Sequence, residues 1–252
     1  METKTILGID LGGALQATTG YAVLTGLRRP SLEVAGVMPK SRSADAAEQG
    51  LVDLLDRWKP TLVAVDAPLT LPPCLVCPSS CQGPGVDRCE LQAARLVWAA
   101  EGNPVTERLC ELRLRGEMKG GKPLPTMRIG QIAGRGVALA RRLRAVRAER
   151  GPMQGPEAIE VYPAASLLRL GYGRRPSQGS GEEAARRFRG EVVKALGAHI
   201  SGLESADEVH ADDHAFDGLV AAYTGWLAPD GLEEPPDDFN AASGWIWLPK
   251  AA

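Results

Sequence analysis

The chain has 252 residues, 44% of them hydrophobic and 24% charged, an ordinary globular balance at a length that one core can still serve. Its formal net charge of −2 hides two opposed blocks: residues 108–150 hold twelve Lys/Arg against three Glu, and residues 204–238 hold eleven Asp/Glu and no Lys or Arg. No apolar run approaches the roughly 20 residues that span a bilayer, and Met1-Glu2-Thr3-Lys4 lacks a signal-peptide layout, which excludes a membrane partner and predicts a reducing, cytoplasmic setting.

In chain order, residues 5–11 read as a buried strand closed by the turn Gly12-Gly13, followed by short strands at 21–25 and 32–37. Tight turns between them predict an antiparallel meander. Residues 44–58 carry Ala47, Leu51, Leu54, Leu55 and Trp58 at helical spacing, with Ser43 as N-cap and Pro60 as terminator. Residues 62–66 form an apolar strand suited to a central, parallel position. The Pro-, Gly-, Ser- and Cys-rich segment at about 72–90 reads as an inserted loop.

Helical patterns resume at 90–100 and 127–147, separated by a Gly- and Lys-containing stretch, 115–125, that reads as mobile. A strand at 158–162 ends at Pro163, helices follow at 164–170 and 182–198, and a basic, glycine-rich loop joins these two. The last helix covers 212–227, and 245–248 is a candidate terminal strand. Neither repeat nor linker interrupts the pattern, so residues 1–252 are expected to form one α/β domain. The order β-β-β-α-β-α-β-α is similar to the ribonuclease H-like topology: a mixed five-stranded sheet, three strands antiparallel and the rest parallel, with helices on both faces.

Acidic residues fall where such a sheet binds ligands, outside the carboxyl ends of its strands. Asp10 ends the first strand and Asp66 the fourth, and these strands are neighbours in this topology. The last helix adds Asp213 and Asp217, four apart on one face, with His214 three before Asp217. Clustered carboxylates resist ionising together unless a cation neutralises them. Oxygen ligands suit Mg²⁺ or Mn²⁺, and two such ions can activate water and stabilise a leaving oxygen. Each residue also has a plain structural reading: a strand-end turn for Asp10 and Asp66, an N-cap for Asp212 or Asp213, a solvated helix position for Asp217.

The ordered set Gly8-Ile9-Asp10, Gly20-Tyr21-Ala22, Val63 to Leu69 with Pro72, Glu160-Val161-Tyr162-Pro163, Asp213 to Ala222, and Gly244 to Pro249 resembles the family of predicted nucleases with a ribonuclease H fold, domain of unknown function 429. The resemblance covers nearly the whole chain. It implies a metal-dependent nuclease whose acidic positions fall on Asp10, Asp66 and Asp217, with Glu160 a further candidate. The segment His214-Ala215-Phe216-Asp217 also resembles the helical element of RuvC-type junction resolvases, which carry glutamate where this chain has Asp66. On this expectation Asp213 or Glu160 completes the ligand shell and His214 orients water or phosphate. A strand-end role for Glu160 in ordering the Tyr162-Pro163 turn is the alternative.

Cys74, Cys77, Cys81 and Cys89 have the spacing C-x2-C-x3-C-x7-C, similar to the structural zinc lobe of medium-chain alcohol dehydrogenases. Four thiolates within sixteen residues can close a tetrahedral Zn²⁺ site that holds a coreless loop, and a [4Fe–4S] cluster uses the same ligands. Cys110 lies outside the pattern and reads as a small buried hydrophobe. Lys119, Lys122, Arg128, Arg135, Arg141 and Arg142 supply positive charge for a phosphate backbone, against the alternative of a solvated helix face. Aromatic residues that stack unpaired bases are sparse among them, which points to duplex or structured nucleic acid.

Two rival readings remain. Gly8 to Gly13 resembles the first phosphate motif of sugar kinases and other actin-like ATPases, which use two copies of this fold. A nucleic-acid-binding module that keeps the fold without chemistry is the other.

Overall fold

The computed structural model describes residues 3–16, 18–77, 89–118, 126–150, 157–176, 178–228, 230–236 and 244–251. Strands β1 (Lys4–Asp10), β2 (Gly20–Gly26) and β3 (Ser31–Val37) form the expected antiparallel meander. Strand β4 (Leu62–Asp66) runs parallel to β1, and β5 (Glu157–Val161) runs parallel to β4. Among the described residues the sheet has six strands, not five, in the order β3-β2-β1-β4-β5-β6. The sixth, β6 (Ile246–Trp247), pairs in parallel with β5. It falls within the candidate terminal strand at 245–248, although two paired residues are too few to carry a period-2 signal.

Helix α1 (Ala44–Trp58) starts where the Ser43 hydroxyl accepts from the Ala46 amide at 3.2 Å, and it ends at Lys59, which is left-handed with φ 44°. Helices α2 (Gln92–Ala99) and α4 (Gly130–Arg150) lie near their predicted positions, as do α5 (Pro163–Arg169), α6 (Glu182–Leu196) and α8 (Asp213–Trp226). Two short helices were not anticipated. Helix α3 (Leu109–Glu117) runs into the stretch expected to be mobile, and α7 (Asp207–Ala211) immediately precedes α8.

Strand alternation sorts the sheet into two faces. Ile6, Ala22 and Leu24 pack with Phe216 and Leu219 of α8 and Val192 and Leu196 of α6. Leu7, Ile9, Val23, Val63 and Val65 pack on the other side with Leu51 and Leu55 of α1 and Leu139 and Leu143 of α4. Helix α8 is buried on nearly all sides and lies directly on the backbone of β1 and β2. A Cβ on Gly8 would stand 2.2 Å from the Ala222 nitrogen, and one on Gly20 would stand 1.8 Å from the His214 carbonyl oxygen. Only hydrogen fits at these positions, and that close approach sets the height of α8 above the sheet.

No helix among the described residues is long and apolar enough to cross a membrane.

Candidate functional site

The strand register aligns Asp10 with Asp66, side by side at the carboxyl ends of β1 and β4. The same register pairs Asp10 with Gly20 of β2, the glycine under the first turn of α8. Asp10 shares the alternation of Ile6 and Gly8, and Asp66 that of Leu62 and Ala64, so both belong to the face that α8 covers. The third carboxylate, Asp217, descends from α8 one turn in. Sequence distance is thus bridged by three causes: a parallel register, a pleat and glycines that let a helix descend.

Asp212 caps α8, its carboxylate accepting from the His214 amide at 2.7 Å and from the Ala215 amide at 3.1 Å. This fixes the first turn and aims the His214 ring at the sheet, where its Nδ1 lies 2.6 Å from Asp10 Oδ2. That hydrogen bond raises the His214 pKa above its ordinary value, and the Asp10 charge adds to the effect against burial. Burial raises Asp10 despite the imidazole beside it. Asp66 is raised well above the ordinary carboxylate range, first by burial and then by the charges of Asp10 and Asp217. Asp217 is pushed up to about 6, burial outweighing the guanidinium of Arg175. Three carboxylates therefore sit close enough to oppose one another's ionisation.

Arg175 and Arg108 are charged residues at this sheet edge that the sequence reading did not single out. Arg175 Nη1 donates to Asp217 Oδ2 at 2.8 Å, and Nη2 donates to Oδ1 as the second tine of the fork. Its guanidinium also lies 5.4 Å from the centre of the Phe216 ring. The signal lay in the basic loop between α5 and α6, where Arg174-Arg175 follow Gly171 and Gly173. Arg108 is 1% exposed and grips Glu160 with both terminal nitrogens, at 2.7 and 2.6 Å. It also meets Glu111, whose carboxylate accepts from the Arg108 backbone amide at 3.0 Å at the start of α3.

Glu160 is therefore already paired, although it lines the same cavity as Asp10 and Asp66 and its charge helps to raise Asp66. Register pairs it with Val65, on the face opposite Asp66, and its Oε2 also accepts from the Leu69 amide at 2.9 Å. Its carboxylate holds the chain that follows β4, and Arg108 neutralises it. Asp213 is likewise drawn away, pairing with Arg189 of α6 at the rim. Asp66 is the contrast: among the described residues its side chain makes no hydrogen bond or ion pair, and it lines a cavity of about 220 Å³ with Asp10 and Tyr162, whose wall also includes Glu160 and Arg108.

The donor types, though not their present arrangement, suit a hard divalent cation: three carboxylates, one of them with no hydrogen bond or ion pair among the described residues. As the side chains stand, no group of three or more His, Cys, Asp or Glu among the described residues is arranged to hold a metal ion. Asp217 is committed to Arg175 and Asp10 to His214, so ligation by all three requires those contacts to exchange.

The basic block divides. Arg128, Arg141 and Arg142 are exposed. Arg135 is buried, donating to Glu48 at 2.6 Å and to the Gly12 carbonyl, so it braces the turn after β1 instead of facing a phosphate backbone. Lys119 and Lys122 lie outside the described residues, as does Cys81 of the four-cysteine pattern. Cys77 and Cys89 form no disulfide among the described residues. Cys110 is a buried core residue, its thiol pushed up to about 12 by burial.

The glycine turn has a structural use as well. Gly12 and Gly13 donate their amides to the hydroxyls of Thr19 and Thr18, each at 3.2 Å. These amides are spent within the loop, and a Cβ on Gly12 would meet the Thr18 carbonyl oxygen at 2.1 Å. Close packing accounts for the glycine without a bound phosphate.

No curated protein matches the chain, and no solved structure does. A family model matches residues 8–241, from β1 past the end of α8 and so across Asp10, Asp66, His214 and Asp217. The chain belongs to that family, whose description is Protein of unknown function (DUF429).

Proposed function

We propose that this chain is a divalent-metal-dependent nuclease on a ribonuclease H-like fold, hydrolysing phosphodiester bonds of duplex or structured DNA or RNA in the cytoplasm. The observation that carries the reading is the meeting of Asp10, Asp66 and Asp217 at one strand end. Three carboxylates with raised pKa and a single guanidinium among them make a site whose charge calls for a further cation. Asp10, Asp66 and Asp217 would hold Mg²⁺ or Mn²⁺. When bound, such ions lower the pKa of water and offset charge on a reacting phosphate.

The protein's own groups supply position. Asp66 offers an uncommitted carboxylate, rigid because β4 is central in the sheet. His214 is fixed from both ends, by the Asp212 cap on its backbone and by Asp10 on its ring. In that orientation it holds a proton at the mouth of the site and orients water or a phosphate oxygen. Exposed Arg128, Arg141 and Arg142 provide positive charge for the backbone of the substrate. The Cys74, Cys77, Cys81 and Cys89 loop is proposed to hold structural Zn²⁺, with a [4Fe–4S] cluster as the alternative.

One observation favours a second reading. Arg175 already neutralises Asp217, which would suit a nucleic-acid-binding module that keeps the fold without chemistry. The two readings separate in one experiment. The purified chain, with Mn²⁺ or with chelator, is incubated with duplex, hybrid, single-stranded and branched substrates. Mn²⁺-dependent cleavage that is lost in Asp10→Asn and Asp217→Asn, with binding retained, supports the nuclease. Binding without cleavage under every condition supports the module.

A further inference from the structure

Arg175 does two things that are hard to reconcile with a permanent structural ion pair. It commits both terminal nitrogens to Asp217, yet its Nε is buried and has no hydrogen-bond partner among the described residues. A guanidinium built in for stability normally has its donors satisfied, because an unmet buried donor costs free energy. Its charge also reaches past Asp217, opposing the upward shifts of Asp10 and Asp66. One side chain thus supplies positive charge to all three carboxylates at once, as a cation bound among them would.

The segment that carries it contains two left-handed glycines. Gly171 and Gly173 both have φ near 80°, and a Cβ at either would meet nothing within 4 Å. Packing does not require glycine there; the left-handed backbone does, and glycine crosses between backbone regions at little cost. By contrast, Asp10 and Asp66 end central strands and Asp217 sits within a buried helix. The carboxylates are fixed and their counter-charge hangs from a loop.

We infer that Arg175 is a built-in, displaceable counter-ion of the acidic site: its guanidinium occupies the position that a divalent cation takes on Asp217, and the two exclude one another. This rests on the metal reading above. A guanidinium and a doubly charged ion repel strongly within a few ångströms of a shared carboxylate, so cation binding requires Arg175 to withdraw, and the loop glycines permit it. The same exchange accounts for a carboxylate set whose chemistry suits a metal but whose present arrangement does not hold one.

The test is Mn²⁺ binding by isothermal titration calorimetry on the full chain at pH 8 and low ionic strength. Wild type is compared with Arg175→Ala, Arg175→Gln and Asp217→Asn, with folding checked by circular dichroism. Removing the guanidinium should tighten Mn²⁺ by about tenfold or more, since a like charge no longer has to be expelled. Arg175→Gln keeps a donor to Asp217 without the charge and should tighten it too, which decides the matter if the alanine variant is unfolded. Asp217→Asn should weaken it. Equal or weaker Mn²⁺ binding in both Arg175 variants overturns the counter-ion role while leaving the metal reading in place. No Mn²⁺ binding by wild type or by any variant overturns both.

Discussion

Acidification from pH 8 to pH 5 is expected to stabilise the folded chain, against the common pattern in which paired carboxylates make proteins acid-labile. The sign follows from the direction of each shift. Asp217 titrates at about 6 when folded and near 3.8 when unfolded, so the folded state takes up its proton first. Its contribution is fully present below the unfolded value and is lost as pH rises through about 6. Asp10 and Asp66 are raised as well and act in the same direction. His214 is also raised, so its contribution is present below 6.5 and disappears above its folded value. From the Asp217 shift alone, linkage gives a gain of about 1.4 kcal/mol between pH 8 and pH 5.

The assay is urea unfolding at fixed ionic strength, followed by tryptophan fluorescence, at unit steps from pH 5 to pH 8. Asp66→Asn provides the internal control. Because Asp66 has no partner among the described residues, removing its charge strips nothing else of a contact. The variant should exceed wild type by about 1–2 kcal/mol at pH 8, with the gap closing toward pH 5. Millimolar Mg²⁺ should act in the same sense, stabilising wild type more at pH 8 than at pH 5, because ligation needs ionised carboxylates. Wild-type stability that stays flat or falls on acidification, together with a destabilised Asp66→Asn at pH 8, refutes the reasoning.

Other perturbations test separate links. Gly20→Ala should cost about 2–4 kcal/mol in urea unfolding, because its methyl group meets the His214 carbonyl and must lift α8 from the sheet. Arg108→Ala should cost about 3–5 kcal/mol by the same measurement, since it leaves Glu111 and Glu160 buried without their cation. The double variant Arg141→Ala/Arg142→Ala should lower the slope of log affinity against log salt for duplex DNA by about 1–2, read by fluorescence anisotropy. Arg135→Ala should leave that slope unchanged and instead reduce stability, because its guanidinium is spent on Glu48 and Gly12.

The sheet was legible in the sequence because its strands are short, apolar and closed by Gly or Pro, and the aspartates were legible because strand ends are where apolar runs stop. What could not be read was partnership. Glu160 and Asp66 look alike as strand-terminal acids, yet Glu160 pairs with Val65 and so falls on the opposite face, a one-residue difference in register that no composition reveals. Arg135 sits in the same basic pattern as Arg141 and Arg142, but its neighbour Gly136 packs within reach of the Pro68 carbonyl, and that close approach buries the position. Helix α3 lacks a clear apolar period, and what starts it is the Arg108–Glu111 cap, a contact that depends on Glu160 far along the chain.

The contrast between these two acids also bears on what the sheet edge is for. A fold that only needed a buried carboxylate to be stable would treat Asp66 as it treats Glu160, with a guanidinium fork and a backbone amide. The residues to do so are close by, since Arg108 and Asp66 line one cavity. Yet Arg108 goes to Glu160 and Glu111, while Asp66 has no ion-pair partner among the described residues and its pKa is raised well above the ordinary range. Asp66 is half-buried and lines the cavity, so its carboxylate is left open to solvent instead of being met by an arginine. The sheet edge is divided by face: on one side an arginine and two glutamates hold the connection after β4 in place, and on the other lie the three aspartates proposed to bind a cation.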